Sequence, residues 1–174
     1  IPAFYGDWFM NRLREGSCRV DNPYSREVQE VSLEKEFVEG FVFWTRNLGP
    51  LMKRLPEIRE RGFPFVVSYT INDYPKQIDA YVPAASRAVD RLMRVADQYG
   101  PRVGVWRYDT ILFTSLTPRE FHLENFAHLA GRLSGYVDEV VISFAQIYKK
   151  TDRNLNKAAR DHGFNWWDPP EEGK

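Results

Sequence analysis

One cysteine, Cys18, stands in the whole sequence. Its solitude excludes an internal disulfide and any zinc or iron-sulfur site assembled from several cysteines of this chain. Histidine is scarce as well. His122, His128 and His162 are the only three, no pair has His-x-x-x-His spacing, and a self-contained transition-metal site is not expected. Nor does one sign of charge dominate: Lys plus Arg equals Asp plus Glu at 24 each, so no global field recruits nucleic acid, an anionic membrane or an acidic partner. Any affinity for anions must be local. No apolar run approaches the roughly 20 residues of a membrane helix, and no signal-peptide pattern opens the chain. With the lone cysteine, this gives a reducing, cytoplasmic expectation. The sequence begins at Ile1 rather than Met, and a piece of a longer product is expected.

What is present reads as one globular core, with 43% hydrophobic and 28% charged residues in 174. A single domain over 1–174, incomplete at both ends, is the expectation. Pro2 suits a first helical turn, Tyr5, Phe9 and Leu13 recur at four-residue spacing, and Gly16 can stop that helix. Cys18 to Asn22 and Val28 to Leu33 flank the turn-like Asn22-Pro23-Tyr24-Ser25 and predict a hairpin. Four strand-like runs follow, Phe41–Thr45, Phe65–Ile71, Val103–Tyr108 and Val140–Phe144, alternating with helical periods. The period over Ala85 to Tyr99 is the cleanest of these helices, Pro56 should kink or restart the one that begins near Leu48, and Thr117-Pro118-Arg119-Glu120 fits a capping box.

This alternation predicts a partial (β/α) TIM-like barrel with parallel strands and an N-terminal β-hairpin insertion. A closed eight-stranded barrel typically needs about 250 residues, so the unit is expected to be partial. A doubly wound sheet uses the same alternation. The barrel is preferred because no glycine-rich turn follows any strand, and because polar residues gather where strands end.

Ligands of parallel sheets bind beyond the carboxyl ends of the strands. The residues expected there are Trp44, Arg46, Asn47, Tyr69, Asn72, Trp106, Arg107, Asp109, Ser143 and Gln146. Arg46 and Arg107 come from different strands, and their guanidinium forks suit a carboxylate or phosphate. The plainer reading is that each pairs with a neighbouring carboxylate, Arg107 with Asp109, to tie the rim together. Residues two apart on a strand share a face, so Arg107 and Asp109 should project together, with Trp106 and Tyr108 opposite. Asp109 is then a candidate base or a salt-bridged partner. Trp44, Tyr69 and Trp106 offer either stacking faces or core packing. The long connection from Asn72 to Pro83 reads as a lid or a solvated insertion, and His122 and His128 as surface or boundary residues.

Five stretches carry a resemblance: Ile1-Pro2-Ala3-Phe4-Tyr5-Gly6-Asp7-Trp8-Phe9-Met10-Asn11-Arg12-Leu13, Asn22-Pro23-Tyr24, Val42-Phe43-Trp44-Thr45-Arg46-Asn47, Trp106-Arg107-Tyr108-Asp109 and Val141-Ile142-Ser143-Phe144. In this order they resemble the bacterial family known as domain of unknown function 1848 over nearly the whole chain. Its members look like relatives of the radical S-adenosylmethionine enzymes, because a cysteine cluster near their C-terminus resembles the loop that holds a 4Fe-4S cluster. That motif is absent here, as is the strand that usually precedes the position of Ile1. In the family pattern Arg46 is usually lysine and Thr110 usually proline.

The resemblance implies the barrel portion of an uncharacterised radical S-adenosylmethionine-like protein, binding an anionic small molecule at the C-terminal ends of the strands. The 4Fe-4S cluster and S-adenosylmethionine are expected for the full-length protein, with no cofactor and no activity within this chain alone. The alternative is a non-catalytic small-molecule binding or regulatory module that lacks the cluster. Charge balance disfavours nucleic acid as a partner, and the oligomeric state is open.

Overall fold

Wherever the sequence alternates strand-like and helix-like runs, the computed structural model, which describes residues 2–25 and 27–168, forms the corresponding element. Contacts group the chain into two compact units, 1–68 and 69–174. In the first, α1 (Gly6–Glu15) buries Phe9, Met10 and Leu13 and stops at Gly16, whose φ of 76° is left-handed backbone that glycine adopts without a Cβ clash. The hairpin follows: β1 (Ser17–Asp21) pairs antiparallel with β2 (Val28–Ser32), from Ser17↔Ser32 to Asp21↔Val28. Its turn is held by Asn22, whose Oδ1 accepts from the backbone N–H of Tyr24 at 2.9 Å.

β3 (Phe41–Thr45) alternates burial, and its Phe41 and Phe43 rings meet Phe9 edge-on at 5.1 and 5.4 Å. Pro56 divides the expected helix in two. α2 (Gly49–Met52) ends before it, and α3 (Leu55–Glu60) takes the proline into its first turn, where the missing N–H has no intrahelical partner to lose. Leu48, Leu51, Leu55 and Ile58 are buried at 1% exposure or less. β4 (Phe65–Thr70) follows, its last two residues belonging to the second unit.

The second unit continues with α4 (Ala85–Tyr99), β5 (Gly104–Ile111), β6 (Phe113–Thr114), α5 (Arg119–Leu133), β7 (Glu139–Phe144), α6 (Lys149–His162) and β8 (Trp166–Trp167). α4 buries Ala85, Ala88, Val89, Leu92, Val95 and Ala96, the predicted stripe. Glycine at 104 permits close packing, since a Cβ there would stand 2.8 Å from Leu92 Cδ1. The capping box does not form. Pro118, not Thr117, is the N-cap of α5, and the Thr117 hydroxyl instead donates to the Leu112 carbonyl at 2.8 Å.

The fold is mixed α/β, with an antiparallel hairpin and a four-stranded parallel sheet in the order β3-β4-β5-β7. Each strand lies beside the one before it, without the reversal of order that marks the switch point of a doubly wound sheet. A second antiparallel pair, β6 with β8, joins Phe113 to Trp167 and Thr114 to Trp166. Strands of two residues carry no periodicity, and this pair has no sequence signature.

Candidate functional site

β5 and β7 run parallel with Arg107 opposite Val141 and Asp109 opposite Ser143. Directly paired residues project to the same side, and residues two apart along a strand share it. Arg107, Asp109 and Ser143 therefore occupy one face near the carboxyl ends. Thr70 joins them from β4, its hydroxyl 3.4 Å from Asp109 Oδ1. Arg107 Nε donates to Asp109 Oδ1 at 3.1 Å and Nη2 to Oδ2, a two-toothed ion pair whose side chains are only 16% and 9% exposed. The predicted pairing within this strand is thus present, and it fixes the guanidinium plane.

The opposite face of β5 is packing. Trp106 is 2% exposed, stacks on Phe126 of α5 with ring centroids 5.0 Å apart, and donates its indole N–H to the Ile71 carbonyl at 3.0 Å. Tyr108 and Tyr69 are buried as well, and the Tyr69 hydroxyl has no hydrogen-bond partner.

Beyond these strand ends, a polar network ties the loops together. Asn72 Nδ2 donates to the Asp109 carbonyl at 3.1 Å, and the Tyr74 hydroxyl donates to the Thr110 carbonyl at 2.8 Å while accepting from the Leu112 N–H at 3.0 Å. The Asp109–Thr110 peptide bond between these groups is cis. Asn125 of α5 reaches back, donating to the Asn72 carbonyl at 2.7 Å and to the Tyr108 hydroxyl at 3.1 Å. His122 closes the loop. Its Nε2 lies 3.1 Å from the Leu112 carbonyl and its Nδ1 3.1 Å from the Tyr108 hydroxyl. A carbonyl only accepts, so Nε2 carries the proton and Nδ1 accepts from the phenol. Burial lowers the His122 pKa, partly opposed by its bond to the Leu112 backbone, and burial raises that of Tyr108. Both groups are neutral near pH 7.

The long connection after β4 also encloses a cavity of about 300 Å³, bounded by Thr70, Asn72, Tyr74, Lys76 and the start of α4. Asn72 belongs to both features: it is 3% exposed, and its Oδ1 has no hydrogen-bond partner.

The predicted residues thus fall into distinct settings. Arg107, Asp109 and Ser143 share a face, Asn72 buttresses it, and Tyr69 and Trp106 are buried. Gln146 is exposed after β7 and accepts from the Tyr148 hydroxyl. In the first unit, Trp44 is 61% exposed and Arg46 is exposed in the bend after β3. Asn47 shapes that bend, with its N–H on Thr45 Oγ1 at 2.9 Å and its Oδ1 accepting from Gly49 at 3.2 Å. His122, expected at the surface or boundary, is 6% exposed, because α5 turns it onto the face that carries Phe126 and Leu129. That signal was available: His122, Asn125, Phe126, Leu129 and Leu133 follow helical spacing, and the stripe needed only one more turn backward.

Among the described residues, no group of three His, Cys, Asp or Glu side chains could hold a metal ion, and no helix is long and apolar enough to cross a membrane. A family model described as Domain of unknown function (DUF1848) matches residues 1–172. No curated protein and no solved structure matches the chain.

Proposed function

We propose, from the premise that this chain belongs to the DUF1848 family, that it is a partial TIM-like barrel binding an anionic small molecule at the carboxyl ends of its parallel strands. Within a longer product it would be the barrel portion of a radical S-adenosylmethionine-like protein. The observation that carries the reading is the β5–β7 register, which gives Arg107, Asp109 and Ser143 a common face. Thr70 adds a hydroxyl beside them. A guanidinium oriented by Asp109 is a preorganised partner for a carboxylate or phosphate, and Ser143 supplies a neutral donor. The sequential strand order supports the barrel.

The residues present do not fit a 4Fe-4S cluster. A cluster with one iron open to S-adenosylmethionine needs three thiolates, and this chain has Cys18 alone. The reading leaves the cluster to cysteines outside these 174 residues. The same single cysteine favours a second reading, a non-catalytic binding or regulatory module. Reductive cleavage of S-adenosylmethionine by the full gene product after anaerobic reconstitution would exclude that second reading.

Isothermal titration of the chain with S-adenosylmethionine, and separately with citrate and inorganic phosphate, tests the shared premise of anion binding. Saturable binding to one site is expected for at least one of the three. Ser143→Ala should weaken it about 5- to 10-fold, as loss of one hydrogen bond of roughly 1 kcal/mol implies. Arg107→Met should weaken it further. Absence of binding by all three, or affinities indifferent to both substitutions, overturns the reading.

A further inference from the structure

We infer that the open edge of β7 pairs antiparallel with β7 of a second copy of this chain, about a twofold axis at Ile142. The inference does not depend on what the strand ends bind.

β7 ends the strand order β3-β4-β5-β7, and no described strand pairs with it on the side away from β5. The Ala145 N–H donates to the Ile111 carbonyl at 2.8 Å. Backbone polar groups turn to opposite sides from one residue to the next along a strand, so those of Val141, Ser143 and Ala145 turn toward β5. Those of Val140, Ile142 and Phe144 turn outward, three residues of donors and acceptors in a row. The side chains of Val140 and Ile142 lie on the face opposite Val141 and Ser143, where they are 40% and 50% exposed. The next helix, α6, buries none of its residues and leaves them unsheathed. Devices that keep sheet edges apart are missing from β7. It has no lysine and no proline, and the register shift of the β5–β7 pair lies in β5, between Asp109 and Ile111.

Charge selects the occupant and its direction. Asp138 and exposed Glu139 open the strand, and exposed Lys149 and Lys150 follow it at the start of α6. Parallel pairing with a second copy would set the two acidic residues beside their own equivalents, which is destabilising. Antiparallel pairing instead sends them toward the end of the partner strand from which Lys149 and Lys150 follow. Symmetry then fixes the register. A twofold axis normal to the sheet keeps the helix-bearing faces on one side, so outward-turned residues must meet outward-turned residues. Centred on Ile142, that residue faces its own copy and Val140 faces the partner's Phe144, which uses all three. Centred on Val141, Phe144 would face Asp138. The pairs at Ile142 and Val140 each exchange two backbone hydrogen bonds and bury apolar side chains against each other.

Sedimentation equilibrium of the chain between about 1 and 200 µM tests this, since a six-residue edge makes a small, concentration-dependent interface. The mass should rise toward twice the monomer value. Ile142→Lys sets like charges across the axis and should raise the half-dimer concentration at least tenfold, whereas Val42→Lys, on the other edge strand β3, should leave it unchanged. Register is read separately in a Cys18→Ser background. Ile142→Cys should give a disulfide-linked dimer under mild oxidation, with its Cα about 5.5 Å from its copy, while Val140→Cys should not. Should Ile142→Lys fail to fold, this cross-linking pair decides. Three results overturn the inference: a monomer at every concentration, a dimer that a folded Ile142→Lys leaves intact, or Val140→Cys cross-linking as readily as Ile142→Cys.

Discussion

A neutral imidazole held between a phenol and a backbone carbonyl makes His122 a group whose protonation opposes the fold of the second unit. Its folded pKa lies below the ordinary value because burial penalises the cation. Unfolded chains bind the proton near pH 6.5, so acid favours the unfolded state through this group. The stability it contributes is fully present above about pH 6.5 and is lost as pH falls from there toward the lowered value. Urea denaturation at pH 7.5 and pH 5 should show that fall, and His122→Gln should flatten the slope between these pH values while lowering stability at pH 7.5. Carboxylates act in a different window. Asp7, Glu57 and Asp161 are lowered mainly by hydrogen bonds to Arg54, Arg14 and Lys157, and contribute to acid sensitivity only below about pH 4.5. At this scale the sequence was half legible. Alternation along β5 predicted that Arg107 and Asp109 share a face and that Trp106 and Tyr108 oppose them, which the ion pair and the Trp106–Phe126 stack bear out. The partners of His122 were not legible, because Leu112 and Tyr108 approach it through the fold and not through spacing along α5.

Between elements, glycine permits a close approach of β5 to α4. A Cβ at Gly104 would meet Leu92 Cδ1 at 2.8 Å, and Leu92 is fully buried. Gly104→Ala should therefore destabilise by about 1–3 kcal/mol through overpacking, and Leu92→Ala by about 2–5 kcal/mol through the cavity it leaves. In the double variant the methyl enters the space that Leu92 vacates, so the combined loss should fall short of the sum by about 0.5 kcal/mol or more. Strict additivity in chemical denaturation would refute close packing at this crossing. Elements with sustained period were legible, as the α4 stripe illustrates, and Pro56 marked the restart that separates α2 from α3. The capping box failed for a physical reason: the Thr117 hydroxyl is claimed by the Leu112 carbonyl and faces Thr114 Oγ1 at 2.9 Å, which leaves it unavailable to the first turn of α5. The β6–β8 pair went unseen because its anchors are non-local, including the Ser115 N–H on the Asn165 carbonyl at 2.8 Å and Trp166 Nε1 on Asn156 at 3.1 Å.

For the molecule as a whole, the parallel direction of the strands was the most legible feature, since alternation of strands and helices implies helical crossovers, whereas the order of the strands in the sheet was not legible. The same rule made the candidate site legible as a region, the carboxyl ends of the strands, while leaving open which side chains of that region are sheathed by helices. Tyr69 and Trp106 are the cost of that gap: their phase along the strand, not their position near its end, decides their burial. Charge balance acts at this scale too. With 24 basic and 24 acidic residues, binding to a phosphate backbone would release few counterions, and non-specific affinity should be negligible even where salt is lowest. Fluorescence anisotropy of a labelled single-stranded DNA at low salt should stay flat up to about 100 µM protein, the weak limit of the non-specific range of basic binders. A salt-sensitive rise would instead reveal a local basic surface that the overall balance conceals, and would argue for a polymeric anion at the strand ends in place of a small one.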